Sequence, residues 1–227
     1  MKNLAIIPAR GGSKRLPRKN VLPIGGKPMI SWTIEAALQS NLFQKVVVSS
    51  DDSEVLSICS DYDVAFDERP NGLETDHSTV DEVCLDLVKR EGYIQKFDTV
   101  CCLYPTSPLR QAKDIHKVLG LILEGEAEQS MSVTTFDLYA HQAMFLEDEG
   151  ILEALRPDIY GLRPNKLPEV VCDNGSIYAS TISALIQHNS LIGPNIRGAF
   201  MEKSRSVDVD TYDDLLMLEF RFNQLGI

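Results

Sequence analysis

Apolar residues in this 227-residue chain follow two alternating spacings. Short runs with few interruptions recur at 4–7, 45–48, 64–66, 98–104 and 130–134. Such runs, rich in β-branched residues and bounded by Pro, Ser or Asp, predict buried strands. Between them the apolar positions fall three and four apart. Met29, Ile30, Ile34, Ala37 and Leu38 share one face of a stretch opening at Pro28, which is acceptable at a first helical position. Val55, Leu56 and Ile58 follow Asp52 or Ser53, either of which can cap a helix. Val80, Val83, Cys84 and Leu87 make a third helical stripe, and a fourth helix is predicted near 114–123.

Strands that alternate with helices and are apolar throughout predict an α/β fold: a mainly parallel sheet with helices on both faces. Ligands of such sheets sit at the carboxyl ends of the strands. The loops 8–20, 49–52, 67–78 and 104–110 all fall there, so the candidate residues share one edge. The alternation fails from about 136 to 172, where Pro157, Gly161, Pro164 and Pro168 interrupt any period. So long an excursion predicts a substrate wall or an oligomer contact. The pattern resumes with a strand at 175–179, a helix at 182–188 and a strand at 198–201. Val207-Asp208-Val209-Asp210 then leads into a last helix over 211–224. The length suits one domain over residues 1–227.

Charge sharpens this picture. The formal net charge is −11, which argues against nucleic-acid binding. Yet residues 1–50 hold eight Lys or Arg and one acid, Glu35. Five of those bases, Arg10, Lys14, Arg15, Arg18 and Lys19, lie in the loop after the first strand, around Gly11-Gly12-Ser13. Glycines let backbone N–H groups approach an oxyanion, and the cations neutralise it. A local basic loop on an acidic protein points to a small anionic ligand, read here as a nucleoside triphosphate. The spacing is neither a Walker A loop nor a dinucleotide fingerprint.

Asp208 and Asp210 flank one residue, so a strand end would put both carboxylates on one face, suited to a hard divalent cation. The same residues also read as the start of a helix, with Asp210 or Thr211 as its cap. Thr106, Ser107 and Arg110 lie past the fourth strand, either setting a turn or also touching substrate. Asn174-Gly175 reads as a turn. His77, His116, His141 and His188 show neither metal nor triad spacing. The cysteines at 59, 84, 101, 102 and 172 show no zinc spacing, which predicts reduced, mostly buried thiols and a cytoplasmic protein. No apolar run suits a signal peptide or a membrane span.

Six blocks, taken together, carry a resemblance: I-P-A-R-G-G-S-K-R-L-P-R-K-N (7–20), G-K-P-M-I (26–30), V-S-S-D-D (48–52), Y-P-T-S-P-L-R (104–110), D-N-G-S-I-Y (173–178) and V-D-V-D-T-Y-D-D-L (207–215). In that order the chain resembles the acylneuraminate cytidylyltransferases, the synthetases of CMP-sialic acid and of related bacterial CMP-nonulosonic acids. The resemblance implies a Rossmann-like nucleotidyltransferase fold and a homodimer. It implies transfer of CMP from CTP to a nine-carbon α-keto acid sugar, releasing pyrophosphate, with Mg²⁺ as cofactor and Mn²⁺ able to substitute. Arg10, Gly12, Ser13, Lys14 and Lys19 would hold the phosphates, and Asn20 and Arg69 would face the nucleotide. Asp208 and Asp210 would hold the metal. Arg10, Lys19, Asp208 and Asp210 would carry the chemistry, with Asp210 or the metal assisting deprotonation.

The sugar side would involve Tyr104, Thr106, Ser107, Arg163, Asn174, Gly175 and Tyr178, with Arg163 pairing the sugar carboxylate. The segment 136–172 would reach across to the other subunit. Two departures fall in the sugar pocket. Tyr104 stands where sialic-acid members carry glutamine, and Ser190, Leu191 and Ile192 stand where aromatics are usual. They bring legionaminic and pseudaminic acids alongside N-acetylneuraminate. A synthetase for the eight-carbon acid Kdo, and a nucleotide-binding module without turnover, are the alternatives.

Overall fold

A computed structural model describes residues 1–70, 72–73, 78–136 and 140–226. The chain opens with β1 (Asn3–Pro8), a small ladder of β2 (Pro23–Ile24) and β3 (Lys27–Pro28), and α1 (Met29–Gln39). It continues through β4 (Lys45–Ser50), α2 (Ser53–Cys59), β5 (Ala65–Glu68), α3 (Val80–Arg90), β6 (Thr99–Leu103), α4 (Ala112–Leu123) and β7 (Gln129–Thr134). Two short strands follow, β8 (Met144–Leu146) and β9 (Leu152–Ala154). The chain then forms β10 (Cys172–Thr181), α5 (Ile182–His188), β11 (Arg197–Phe200) and α6 (Tyr212–Leu225).

Seven strands form one sheet in the order β11-β7-β10-β6-β1-β4-β5. β1 pairs in parallel with β4 and β6, with Ile6 opposite Val47 and Ala5 opposite Cys101. The mainly parallel sheet thus agrees with the periodicity. β10 is the exception, running antiparallel between β6 and β7. It is twice the length of the expected strand, because its register shifts between Asp173 and Tyr178 and carries the chain past Gly175.

The period of two explains why β1 is apolar throughout. Ala5 and Ile7 join Ile30, Ile34, Ile115 and Leu119 of α1 and α4 on one face. Leu4 and Ile6 join Cys84, Leu87 and Leu185 of α3 and α5 on the other. A third cluster seats α6, where Leu218 and Phe222 pack on Leu16, Ile24, Leu109 and Val209.

Caps set the helix starts. Asp52 accepts from the Glu54 amide at 2.9 Å, as expected. Gln111 and Asp114 close a capping box that starts α4 two residues ahead of the expected position. Pro28 lies one residue before α1, in the small ladder. All five cysteines are free, and all but Cys172 are buried. His116 Nε2 lies 2.9 Å from the Ser40 carbonyl, a structural role. His77 and part of the loop 67–78 lie outside the described residues.

The expected strand at 207–210 does not form. The segment joins no ladder of the sheet. Its backbone groups go elsewhere: Val209 N–H donates to Thr106 O at 2.9 Å, Asp210 N–H donates to Asp214 Oδ2 at 3.1 Å, and the Val209 carbonyl accepts from Lys19 Nζ at 3.2 Å. Val209 is fully buried, so the extended alternation still turns both Asp208 and Asp210 the opposite way. Arg205, just upstream, is buried against Asp114 of α4, with Nη2 2.9 Å from Oδ1.

Candidate active site

The loops after β1, β5 and β6, the start of α3 and the segment 208–210 surround a cleft of about 380 Å³ at the carboxyl edge of the sheet. Arg10, Lys19, Asn20 and Arg69 line one side, and Thr106, Asp208 and Asp210 line the other. Residues nearly 200 positions apart meet there. Lys19 Nζ donates to Asp210 Oδ1 at 2.7 Å and to the Val209 carbonyl at 3.2 Å. Asn20 is buried, and its Nδ2 donates to the Arg10 carbonyl at 2.9 Å. Its Oδ1 has no partner among the described residues. Arg69 is also buried, donating to the Ser49 carbonyl at 2.9 Å, and burial lowers its proton affinity.

The basic loop divides its labour in a way its composition hides. Arg15 pairs with Asp210 Oδ2 at 2.6 Å, and Arg18 pairs with Glu54 and, at 3.7 Å, with Asp52. Arg15, Arg18 and Lys19 are thus each engaged with a carboxylate. Gly12, Ser13 and Lys14 do not line the cleft. The glycine under steric demand is Gly11, whose N–H donates to Asp51 at 2.9 Å and whose added Cβ would meet Asp52 Cβ at 2.9 Å. A Cβ on Gly12 would meet nothing within 4 Å.

The two aspartates differ electrostatically. Asp208 opens to solvent on the cleft side while protein crowds its other sides. This desolvation, aided by Asp210, pushes its carboxyl up to about 6 despite a hydrogen bond from Thr106 and the charge of Lys19. Asp210 feels desolvation too, but Lys19 and Arg15 prevail and hold it below the usual carboxylate range.

The remaining sequence candidates scatter. Tyr104 lines the cleft and stacks against Tyr178 with ring centroids 5.0 Å apart. Tyr178 OH donates to Asp173 at 2.7 Å. Asn174 and Gly175 line a second cavity of about 800 Å³, bounded by Phe136 and Leu155, that meets the cleft at Asp208. The Asn174 side chain is tied to Ser132 and Ser206, at 2.6 and 2.9 Å. Ser107 is buried with its hydroxyl on Ser176 at 2.9 Å, and it does not line the cleft. Arg110 is buried too, bonding Ser176 O and Thr33 Oγ1 at 2.7 Å each, and it braces the turn. Arg163 is exposed and lines none of the cavities around this edge. Asp173 and Thr79 were not singled out in the sequence. Asp173 lies within the D-N-G-S-I-Y stretch, and Thr79 carries only the sequence signal of a helix cap.

Residues 4–175 match the family described as cytidylyltransferase. The chain belongs to that family. It is similar to the pseudaminic acid cytidylyltransferase of Campylobacter jejuni serotype O:2, at 32% identity over 95% of this chain and 94% of the relative. It is similar to the CMP-N,N'-diacetyllegionaminic acid synthase of Legionella pneumophila, at 33% identity over 96% and 95%. It is also similar to the N-acylneuraminate cytidylyltransferase of Streptococcus agalactiae serotype V, at 32% identity over 95% of this chain and 52% of the relative. In fold it resembles a CMP:2-keto-3-deoxy-manno-octonic acid synthetase solved with CTP. The TM-score is 0.73 and the identity 21%, covering 99% of this chain and all of that one.

The donor set of this cytidylyltransferase bears on a metal. Among the described residues no group of three or more His, Cys, Asp or Glu could cage one. Asp208, short of positive charge, and Asp210, drawn to two cations, both face the cleft. Two carboxylates lining one cleft fit a hard divalent ion that completes its shell with substrate and water oxygens.

Proposed function

We propose that the chain transfers CMP from CTP to the anomeric hydroxyl of a nine-carbon α-keto acid sugar, releasing pyrophosphate. The observation that carries this reading is the contact of Lys19 with Asp210 in the cleft, which sets a phosphate-binding cation beside a carboxylate pair. The relatives that cover nearly the whole chain are named for pseudaminic and legionaminic acids, which supports that sugar class. The likeness to the synthetase of an eight-carbon acid is one of fold.

In this reading Arg10, Lys14 and Lys19 neutralise the triphosphate and the leaving pyrophosphate, with the Gly12-Ser13 backbone approaching it as CTP binds. Asn20, whose Oδ1 is buried without a partner among the described residues, and Arg69 meet the nucleoside. Asp208 and Asp210 would hold Mg²⁺, or Mn²⁺ in its place, which supplies charge neutralisation and lowers the pKa of an attacking hydroxyl. Asp210, or the metal-lowered acidity of the hydroxyl itself, assists the deprotonation. Tyr104, Thr106 and Tyr178 border the sugar, and Asn174 and Gly175 set its far wall.

The segment 136–172 makes the dimer contact in this reading. It exposes Phe145, Leu146, Ile151, Leu152 and Leu162, an apolar content that a second copy would cover. Arg163 then serves the partner's sugar carboxylate. Residues 1–227 act as one domain. No helix of the described residues is long and apolar enough to cross a membrane, and we place the enzyme in the cytoplasm.

Pyrophosphate release from CTP and Mg²⁺, over a panel of pseudaminic, N,N'-diacetyllegionaminic and N-acetylneuraminic acids and Kdo, tests the reading. Turnover on a nonulosonic acid and not on Kdo is expected. Turnover on Kdo alone, or on none, overturns it. Asp210→Asn should lose turnover while CTP binding stays nearly intact.

A further inference from the structure

Beside the cleft lies a smaller cavity of about 210 Å³. The two share Thr79, Val80 and Tyr104, so a ligand in the cleft borders this space directly. One wall is the Tyr104–Tyr178 ring pair. The facing wall is Leu191 and Ile192, on the turn after α5. No Lys or Arg is among the described residues that line it, whereas Asp81 and Asp173 are, so the space disfavours an anionic group.

That facing wall is not held by its own element. α5 ends at Asn189 in the left-handed region, φ 50°, and the chain turns sharply. Asp81, in the first turn of α3, reaches across 110 positions of sequence to hold it. Asp81 Oδ1 accepts from the Leu191 N–H at 3.0 Å, and Oδ2 accepts from the Ser190 hydroxyl at 2.8 Å. Ser190 Oγ in turn accepts from the Ile192 N–H at 3.0 Å. Gln129 adds a third point, donating to the Ser190 carbonyl at 2.8 Å. With the turn so held, Leu191 is buried at 2% exposure while Ile192 stays open, facing the cavity.

Asp81 is not needed to start its own helix. Thr79 and Glu82 close the capping box of α3 between themselves, at 2.8 and 3.2 Å. Both oxygens of Asp81 are committed to the turn, and hydrogen bonds to an ionised acceptor are among the stronger ones. Val80, its neighbour, lines both the cleft and the cavity. The carboxylate therefore ties the sugar-side wall to the helix end that borders the nucleotide.

We propose that Asp81 is a positioning residue for acceptor selection. By clamping the 190–192 turn against the Tyr104–Tyr178 pair, it sets the size of a subsite for an uncharged substituent of the sugar acid. The inference rests on the functional reading above. Leu191 and Ile192 make the contact, and Asp81 acts through them.

The test compares Asp81→Ala and Asp81→Asn with the unaltered chain. Steady-state kinetics use CTP with pseudaminic, N,N'-diacetyllegionaminic and N-acetylneuraminic acids, and amide hydrogen exchange follows Leu191 and Ile192. Asp81→Ala should raise KM for the sugar acid about tenfold, less than two hydrogen bonds to a charged acceptor would cost directly, because the loss reaches the sugar only through Leu191 and Ile192. KM for CTP should stay within about twofold, since the cap of α3 is intact. The ratio of kcat/KM between the best and worst acids should shrink, and exchange at the turn should accelerate. Asp81→Asn keeps an acceptor for the Leu191 N–H and should recover most of both. A KM that rises equally for CTP and sugar, or exchange that does not change, overturns the inference. If no nonulosonic acid is a substrate for the unaltered chain, the functional reading fails; if one is and Asp81→Ala leaves its KM and selectivity unchanged, only this inference fails.

Discussion

The carboxylate of Asp208 lies so close to the backbone of Gly175 that a Cβ built on the glycine would overlap Asp208 Oδ2. Gly175 also adopts φ +60°, a conformation that costs any other L-residue. Gly175→Ala should therefore destabilise the protein by about 1–2 kcal/mol and push Asp208 from its place. A displacement of this kind should lower kcat by roughly tenfold or more. KM for CTP should move little, since Gly175 does not line the nucleotide cleft. Steady-state kinetics with a melting curve separate the two effects; an unchanged kcat would remove Asp208 from the chemistry.

Lys19 and Arg15 both touch Asp210, yet they should not weigh equally. Lys19 is largely buried and also bonds the Val209 carbonyl, whereas the Arg15 side chain is 67% exposed. Lys19→Met should cost kcat/KM a factor of about 10²–10³, the scale of losing one preorganised charge at a reacting phosphate. Arg15→Gln should cost less than about fivefold, as for an exposed ion pair. Equal losses in the two variants would show that Asp210 needs only its total charge balance.

Asp208, raised from 3.8 to about 6, carries a pH signature. The folded state binds this proton more tightly than the unfolded state. Stability therefore falls as pH rises from about 4 to about 6, and the deficit is complete above that window. Asp208→Asn should melt above the unaltered protein at pH 7, with the gain vanishing near pH 4. Solvent on the cleft side keeps the gain modest. The unaltered enzyme should also lose activity below about pH 6, where the carboxyl no longer binds a cation. Melting curves and rates across pH 4 to 8 read both; a lower melting temperature for Asp208→Asn at pH 7 would contradict the raised proton affinity.

Arg205 and Asp114 form an ion pair in which each side chain is only 2% exposed. Arg205→Ala would leave the Asp114 carboxylate buried without its main partner. A loss of about 3–5 kcal/mol is expected. Because Arg205 lies just upstream of Asp208, part of the loss should appear as weaker activity well below the melting temperature. Denaturant unfolding gives the first number and initial rates the second.

Most of the scaffold was legible before any coordinates. Strand β1 announced itself because a parallel strand buried on both faces must be apolar at every position, as residues 4–7 are. The basic loop at the cleft was legible because five cations in one stretch oppose the charge of the rest of the chain. The direction of β10 was not, since Ile177 and Ala179 are buried equally well in either orientation. The division of the basic loop was hidden as well. Composition counts Arg15 and Arg18 as free charge, whereas the fold brings Asp210, Asp52 and Glu54 up to them.

Local periodicity, turn chemistry and charge contrast thus determined the α/β architecture, the edge that carries the cleft and the basic character of its first loop, because each is a property of neighbours in sequence. Contacts between distant segments decided the rest. Lys19 reaches Asp210, Gly175 crowds Asp208, and Asp81 holds Leu191 only after the sheet has brought their loops to one edge. The energy of a hydrogen bond or a steric contact depends on distances of a few ångströms, and no spacing along the chain encodes those.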